Sequence, residues 1–384
     1  MNIGIDARLY GPKWGGGGLG RYVEELVTEL QRIESEHRYV LFVKPENADA
    51  CTITNPRFEK VVVDAHWYTL KEQLLMPWAI KKAGVDVMHY PHWNVSIFSK
   101  VPFVVTIHDL ILLDDPTSAK ATTLGPIRYA IKRLGYHAVL GHAIEKSKKV
   151  IAVSRATKES ILHHFNIPAE KIQVIYEGVM GSGLESGIQE QQAPPKFPIP
   201  DLTPSPYFLY VGSAYPHKNL ENLLRAFAFF VKPYPDTKLV LVGSPSVFYD
   251  NLRKKVLEIG IPEDRVVFTG FVTNDALSDL YAGASLYVFP SRFEGFGLPP
   301  LEAMSNGTPV AASSMGSLPE VLAEAALYFN PDDVEEMSRV MEQGLTNETL
   351  RAEMKKRGKE HVKKFSFQTM AKETVRVYEE AKGV

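Results

Sequence analysis

Glu294 and Glu302 stand eight positions apart, on either side of the run Gly295-Phe296-Gly297-Leu298-Pro299-Pro300-Leu301. The glycines hinge a turn, and the prolines suit the first positions of a helix. Glu294 then lies in the turn and Glu302 about one turn inside the helix. The helix start offers the backbone N–H groups of Phe296, Gly297 and Leu298 to an anion. A carboxylate on each side accepts hydrogen bonds from hydroxyls. A phosphate beside polyhydroxylated rings is the pattern of a nucleotide sugar. Taken alone, the same pair would be two surface glutamates around a turn.

The run Gly15-Gly16-Gly17-Gly18-Leu19-Gly20 satisfies G-x-G-x-x-G. Dinucleotide binding fits it poorly. That fingerprint sets its first glycine directly after a strand, whereas eight residues separate Asp6 from Gly15. Lys44 and Pro45 also stand where an acid should follow the second strand. Two readings stay open: a loop whose Gly17 and Gly18 amides approach a phosphate ahead of a helix, or a flexible loop without a ligand.

Strands and helices must hold these residues. In the first half, apolar runs predict strands at Asn2–Asp6, Tyr39–Val43, Val61–Ala65, Asp86–Pro91, Phe103–Asp109, Val150–Ser154 and Ile172–Tyr176. Helical patterns cover Gly20–Ile33, Thr69–Ala83, Thr123–Lys148 and Ala156–Phe165, the last capped by Ser154. Residues 181–206 are rich in Gly, Pro, Gln and Ser and read as a linker. A second series follows, with strands at Tyr207–Gly212, Leu239–Gly243, Val266–Phe271, Leu286–Pro290, Pro309–Ala312 and Ala326–Phe329. Its helices include Asn219–Val231, Phe248–Ile259 and Asp275–Gly283, then about Glu348–Phe365 and Phe367–Ala381, with Ser366 as a cap.

This alternation predicts two doubly wound α/β domains with parallel sheets, 1–180 and 207–365, facing a central cleft. The helix in 366–384 is expected to pack back on the first domain. Open parallel sheets bind ligands at the carboxyl ends of their strands. The chain of 384 residues is 45% hydrophobic and 23% charged, which excludes a disordered or fibrous protein. A net charge of -2 gives no reason to expect a nucleic-acid partner. Cys51 is the single cysteine, which excludes an internal disulfide and a cysteine metal cluster. The start MNIGID carries no leader pattern, and no run approaches the ~18 apolar residues that cross a bilayer. A cytoplasmic protein is expected, with peripheral contact at the inner face of a membrane left open.

The Glu294–Glu302 segment resembles the E-x7-E signature of the retaining family 4 glycosyltransferases, which have the GT-B fold. Ile5-Asp6-Ala7-Arg8, Gly18-Leu19-Gly20-Arg21-Tyr22, Val105-Thr106-Ile107-His108-Asp109-Leu110 and Val153-Ser154-Arg155-Ala156-Thr157-Lys158 match in order. So do Tyr210-Val211-Gly212, Pro216-His217-Lys218-Asn219 and Gly316-Ser317-Leu318-Pro319-Glu320-Val321. The nearest likeness is to bacterial mannosyltransferases of surface-polysaccharide assembly.

The resemblance implies roles. Lys218 pairs with the leaving diphosphate, Glu294 binds donor-sugar hydroxyls, and Glu302 binds the ribose. Gly270, Phe271 and Val272 meet the base, and His108 sits over the sugar. Ser213 stands where many members carry an arginine on the diphosphate, and Arg8, Arg21 and Arg155 are the candidates to replace that cation. Apart from the resemblance, a strand-end histidine is ordinarily structural and Asp109 a cap. The implied reaction moves a hexose, best matched by mannose from GDP-mannose, to a glycan or lipid-linked glycan with retention. Same-face attack is implied, with the leaving phosphate taking the acceptor proton. Positive potential at the diphosphate would be the largest catalytic contribution. Domain closure over the cleft would exclude water. No D-x-D motif is present, so no metal or other cofactor is expected.

Tyr90, His92, Trp93 and Arg155 are the candidates for acceptor binding, against ordinary loop and core packing. The stretch Ile127–Lys149 is basic and amphipathic, which suits either an anionic lipid surface or a core-packed helix with a solvated face. Two other functions fit the same fold: a sugar-nucleotide epimerase or hydrolase, and a non-catalytic nucleotide- or carbohydrate-binding protein.

Overall fold

The computed structural model describes residues 1–15, 17–115, 118, 126–179, 202 and 205–383. In chain order the elements begin with β1 (Asn2–Asp6), α1 (Pro12–Gly15), α2 (Gly18–Arg32), β2 (Arg38–Val43), β3 (Phe58–Val62), α3 (Leu70–Lys82), β4 (Val87–Tyr90) and β5 (Phe103–Ile107). Next come α4 (Ile111–Asp114), α5 (Pro126–Lys146), β6 (Lys149–Ala152), α6 (Arg155–His164), β7 (Ile172–Val174), β8 (Tyr207–Val211), α7 (Leu220–Phe230), β9 (Lys238–Val242), α8 (Val247–Ile259) and β10 (Val266–Gly270). The chain closes with α9 (Asn274–Gly283), β11 (Leu286–Phe289), α10 (Leu298–Ser305), β12 (Val310–Ser313), α11 (Leu318–Leu322), β13 (Ala326–Phe329), α12 (Val334–Thr346), α13 (Glu348–His361) and α14 (Phe367–Lys382).

The chain divides into two compact units: residues 1–110, 122–178 and 365–384 form one, and 111–121 with 179–364 form the other. The first unit holds a seven-stranded sheet in the order β3-β2-β1-β4-β5-β6-β7, and the second a six-stranded sheet in the order β10-β9-β8-β11-β12-β13. Every paired strand is parallel. In each sheet the strand order reverses beside the first strand, between β1 and β4 and between β8 and β11. The loops leaving the carboxyl ends of those strands are the usual ligand position in such sheets.

Strand composition explains the layering. Phe103–Ile107 reads FVVTI and is buried throughout, as a strand covered on both faces must be. Helix α2 lays Tyr22, Val23, Leu26, Val27 and Leu30 on the first sheet. Each such side chain contributes about 1.5–3 kcal/mol by leaving water. Met370, Ala371, Val377, Tyr378 and Ala381 of α14 complete that core. Ser154 caps α6, and Ser366 caps α14, each accepting from a backbone N–H three residues on.

Three expectations need correction. The third strand lies at Phe58–Val62 and not at Val61–Ala65. It is an edge strand with Phe58 buried and Glu59, Lys60 and Val62 exposed, so its polar half hid it from a search for apolar runs. Residues 111–121 group with the second unit, where the Ser118 hydroxyl accepts from the His217 N–H at 3.0 Å and lies 3.0 Å from its Nδ1. Helix α2 begins at Gly18, earlier than the pattern suggested. The linker reading of 181–206 falls almost wholly outside the described residues, as do Gly16 and residues 123–125 of the predicted helix.

Candidate active site

In the second unit the loops after β8 and β11 are tied together. A 3-10 turn, Pro216–Lys218, ends at Asn219, which adopts a left-handed φ of 59°. Asn219 Nδ2 donates to Pro290 O at 3.1 Å and Pro331 O at 2.7 Å. The Arg292 N–H donates to His217 O at 2.8 Å. Those bonds bring Lys218 Nζ to 2.6 Å from Glu294 Oε1, with the two side chains only 17% and 10% exposed. Burial and the Lys218 charge push the His217 imidazole down to about 4, so it is neutral beside the pair.

The Glu294 turn is fixed from behind. The Ser317 hydroxyl lies 3.0 Å from Glu294 O and 3.1 Å from Phe296 O, one donor shared by two carbonyls. Gly297 takes a φ of 94°, where any other side chain is strained, and a Cβ there would also meet Leu318 Cδ2 at 2.8 Å. Helix α10 starts at the next residue, Leu298. One turn on, Glu302 Oε2 accepts from the Tyr281 hydroxyl at 3.2 Å. The two carboxylates therefore flank the head of α10, where the helix dipole favours an anion.

The remaining donor candidates of this unit follow strands of the same parallel sheet. Ser213 follows β8, and its carbonyl accepts from the Tyr210 hydroxyl at 2.7 Å. Gly270 ends β10 with a φ of 71°, leaving Phe271 exposed and Val272 half-buried. Lys218, Ser213, Gly270–Val272 and Glu294 thus gather at the carboxyl edge of one sheet.

In the first unit, Gly17 precedes α2 with a φ of 81°, and neither Gly17 nor Gly18 has an atom within 4 Å of where a Cβ would stand. Their backbone is open to a ligand. His108 follows β5, with Nδ1 2.8 Å from Glu177 Oε1 and Nε2 3.0 Å from Pro91 O. Burial lowers its pKa, but the Glu177 hydrogen bond and charge outweigh that, with help from Pro91 and Asp109, and the net shift is upward. His92 and Trp93 are half-buried, and Trp93 stacks on Tyr68 at 5.2 Å. Arg155 is exposed at the head of α6. Tyr90 differs from the surface position expected of an acceptor residue: it is 1% exposed in the middle of the sheet, against Phe103. Arg8 is also committed elsewhere, 1% exposed and 2.6 Å from both Asp6 and Glu72, so it is no substitute for the cation missing at Ser213.

Glu177, Tyr281 and the Ser118–His217 contact were not anticipated. No spacing in the sequence marks them, because each meets its partner only through the fold. Ser317 lay within a matched run but carried no assigned role.

Residues 195–361 match the family described as glycosyl transferases group 1, and residues 16–180 match Glycosyltransferase Family 4. With two Rossmann-like parallel-sheet units, the chain belongs to the family 4 glycosyltransferases of GT-B fold. O-antigen chain mannosyltransferase B of Escherichia coli is 28% identical over 94% of this chain and 95% of its own. O-antigen chain mannosyltransferase RfbU of Salmonella typhimurium is 30% identical over 70% of this chain and 67% of its own. Among solved structures, sucrose-phosphate synthase from Thermosynechococcus elongatus superposes with a TM-score of 0.76 at 22% identity, over 99% of this chain and 98% of that one.

Proposed function

We propose that this glycosyltransferase moves mannose from GDP-mannose to a glycan or lipid-linked glycan, with retention and without a divalent metal. One observation carries the reading: the Lys218–Glu294 pair at the head of α10, at the switch point of the second sheet. An ammonium has three N–H donors, and Glu294 takes one. The others suit diphosphate oxygens. The Glu294 carboxylate keeps lone pairs for sugar hydroxyls, and Glu302 for the ribose. The mannose assignment rests on the names of the two mannosyltransferase relatives.

In the proposed step the anomeric C–O bond to phosphate breaks and its electron pair passes to the diphosphate. Lys218 and the α10 head stabilise that growing charge. The acceptor oxygen bonds the anomeric carbon on the same face, and its proton goes to the leaving phosphate. His92, Trp93 and Arg155 are the acceptor-side candidates. A thermal-shift panel of GDP-, UDP- and ADP-sugars tests the donor, because a ligand of the native state raises the melting temperature according to its affinity. The greatest rise is expected with GDP-mannose; none with any of them would remove the donor site.

The proposal includes peripheral contact with an anionic lipid surface. Among the described residues no helix is long and apolar enough to cross a membrane. Helix α3 instead presents Leu70, Leu74 and Trp78 on one face, 84%, 69% and 63% exposed. Lys81 and Lys82 are exposed at its end, with Lys82 Nζ 5.0 Å from the centre of the Trp78 ring. Gln73 holds the neighbouring loop through Val95 O and the Ile97 N–H, which places exposed Phe98 beside the helix. Apolar and tryptophan side chains flanked by lysines suit an anionic interface. From the basic stretch 127–149, Ile131, Lys132, Arg133 and Leu134 of α5 are exposed as well.

A further inference from the structure

We propose that Glu177 and the Pro91 carbonyl occupy both ring nitrogens of His108 and hold it as an imidazolium, so that His108 is a fixed group and not a base in the transfer, with Glu177 as its positioning residue.

The geometry leaves little choice of protonation. Pro91 O is a carbonyl and only accepts, so Nε2, 3.0 Å away, must carry a hydrogen. Glu177 Oε1 lies 2.8 Å from Nδ1, and an ionised carboxylate also only accepts. A neutral imidazole has one N–H and would leave one of these contacts repulsive. Placing the second proton on Glu177 instead keeps the same two protons on the pair. In both descriptions each ring nitrogen is occupied, so His108 presents no lone pair that could deprotonate an acceptor.

The surroundings agree from every side. Glu177, after β7, is 6% exposed, which strengthens its attraction for the ring. Tyr22 of α2 meets the ring edge-on, with centroids 4.7 Å apart, and adds no charge. Thr157 of α6 donates to the His108 carbonyl at 3.2 Å and fixes the backbone. Asp109, the next residue, favours the charged ring. His89 and His92, from β4 and the loop after it, are both pushed down to about 3, mainly by burial and further by the His108 charge. They remain neutral beside the ring. The Glu177 carboxylate balances the ring, so the pair fixes the imidazole at the carboxyl end of β5 without adding net charge there. Its value to catalysis rests on the reading in which His108 lies beside the transferred sugar.

The test is a pH titration of selectively 15N-labelled histidine in the full chain without substrate, with the His108 signal assigned by its loss in His108→Gln. Both ring nitrogens should show protonated shifts at neutral pH, with a midpoint above the ~6.5 of an ordinary histidine. Glu177→Gln should lower that midpoint by about 1–3 pH units, and Glu177→Asp should restore part of the loss. A wild-type midpoint at or below ~6.5, or no change in Glu177→Gln, would overturn the charge assignment. In assays, kcat/KM of Glu177→Gln should fall at least about tenfold more than wild type as the ring loses its proton, one factor of ten for each 1.4 kcal/mol of lost stabilisation. A parallel pH profile in the two proteins would overturn the catalytic role. The titration uses no sugar, so it answers even for a chain that transfers none.

Discussion

Lys218 Nζ and Glu294 Oε1 are 2.6 Å apart although 76 residues separate them in the chain. The pair joins the loop after β8 to the loop after β11 at the point where the sheet reverses its order. If it receives the diphosphate, Lys218→Ala should weaken nucleoside-diphosphate binding by about 10- to 100-fold, the range for a hydrogen bond to a charged group. Calorimetric titration measures it. Unchanged affinity would take Lys218 out of the site.

Gly297 tests the turn that aims Glu294. Gly297→Ala puts a Cβ 2.8 Å from Leu318 Cδ2 at a φ of 94°. The left-handed backbone alone costs about 1–2 kcal/mol, before the clash. Urea unfolding should show that loss, together with a drop in turnover. Stability and rate equal to wild type would mean the turn is not under the constraint described.

The Arg8 cluster makes a prediction about stability. Arg8 is buried between Asp6 and Glu72, and Glu72 also accepts from Asn94 at 2.6 Å. Arg8→Met leaves two carboxylates buried without their cation, a loss of about 3–5 kcal/mol. Denaturant midpoints check it. A loss no larger than the ~1 kcal/mol of a surface pair would contradict the burial argument.

Much of the framework was legible because the strands between covering helices are unbroken apolar runs, as in FVVTI at β5. The edge strand β3 escaped because only one of its faces is apolar. At the site, the Glu294–Glu302 pair stood out by its spacing around glycine and proline, whereas Lys218 stood out only through the family resemblance. Glu177 was not, since it is a lone glutamate after a short strand and gains meaning only when β7 is set two strands from β5, the strand that His108 follows. Arg8 shows the opposite error: an arginine near a strand end looked available, and the fold spends it on two buried acids.

His89 should make the protein lose stability in acid. It is fully buried between the Tyr378 hydroxyl at 2.7 Å and Thr106 Oγ1 at 2.9 Å. Burial, with the His108 charge, holds its pKa down to about 3. The unfolded ring binds a proton below ~6.5, so between those values the unfolded state holds more protons and stability falls as pH falls. The site contributes about 1.4 kcal/mol per pH unit in that window. Urea midpoints at pH values above and below ~6.5 should show a smaller acid loss in His89→Gln than in wild type. Equal losses would contradict a neutral buried His89.

Leu74→Glu should abolish sedimentation with phosphatidylglycerol vesicles while leaving the melting temperature unchanged, since the side chain is exposed on α3. Wild-type protein that stays in the supernatant with those vesicles would remove lipid contact from the proposal. Chelator should leave transfer intact; loss restored by magnesium would overturn the metal-free reading.

The most direct measurement is the release of GDP from GDP-mannose with and without a mannose-terminated acceptor, in wild type and in Glu294→Ala. We expect release to require the acceptor, to yield an α-linked product, and to fall by at least about a hundredfold in the folded variant, some 2.7 kcal/mol of transition-state stabilisation. Release that proceeds equally without acceptor, or at an undiminished rate in Glu294→Ala, would contradict sugar transfer at this site.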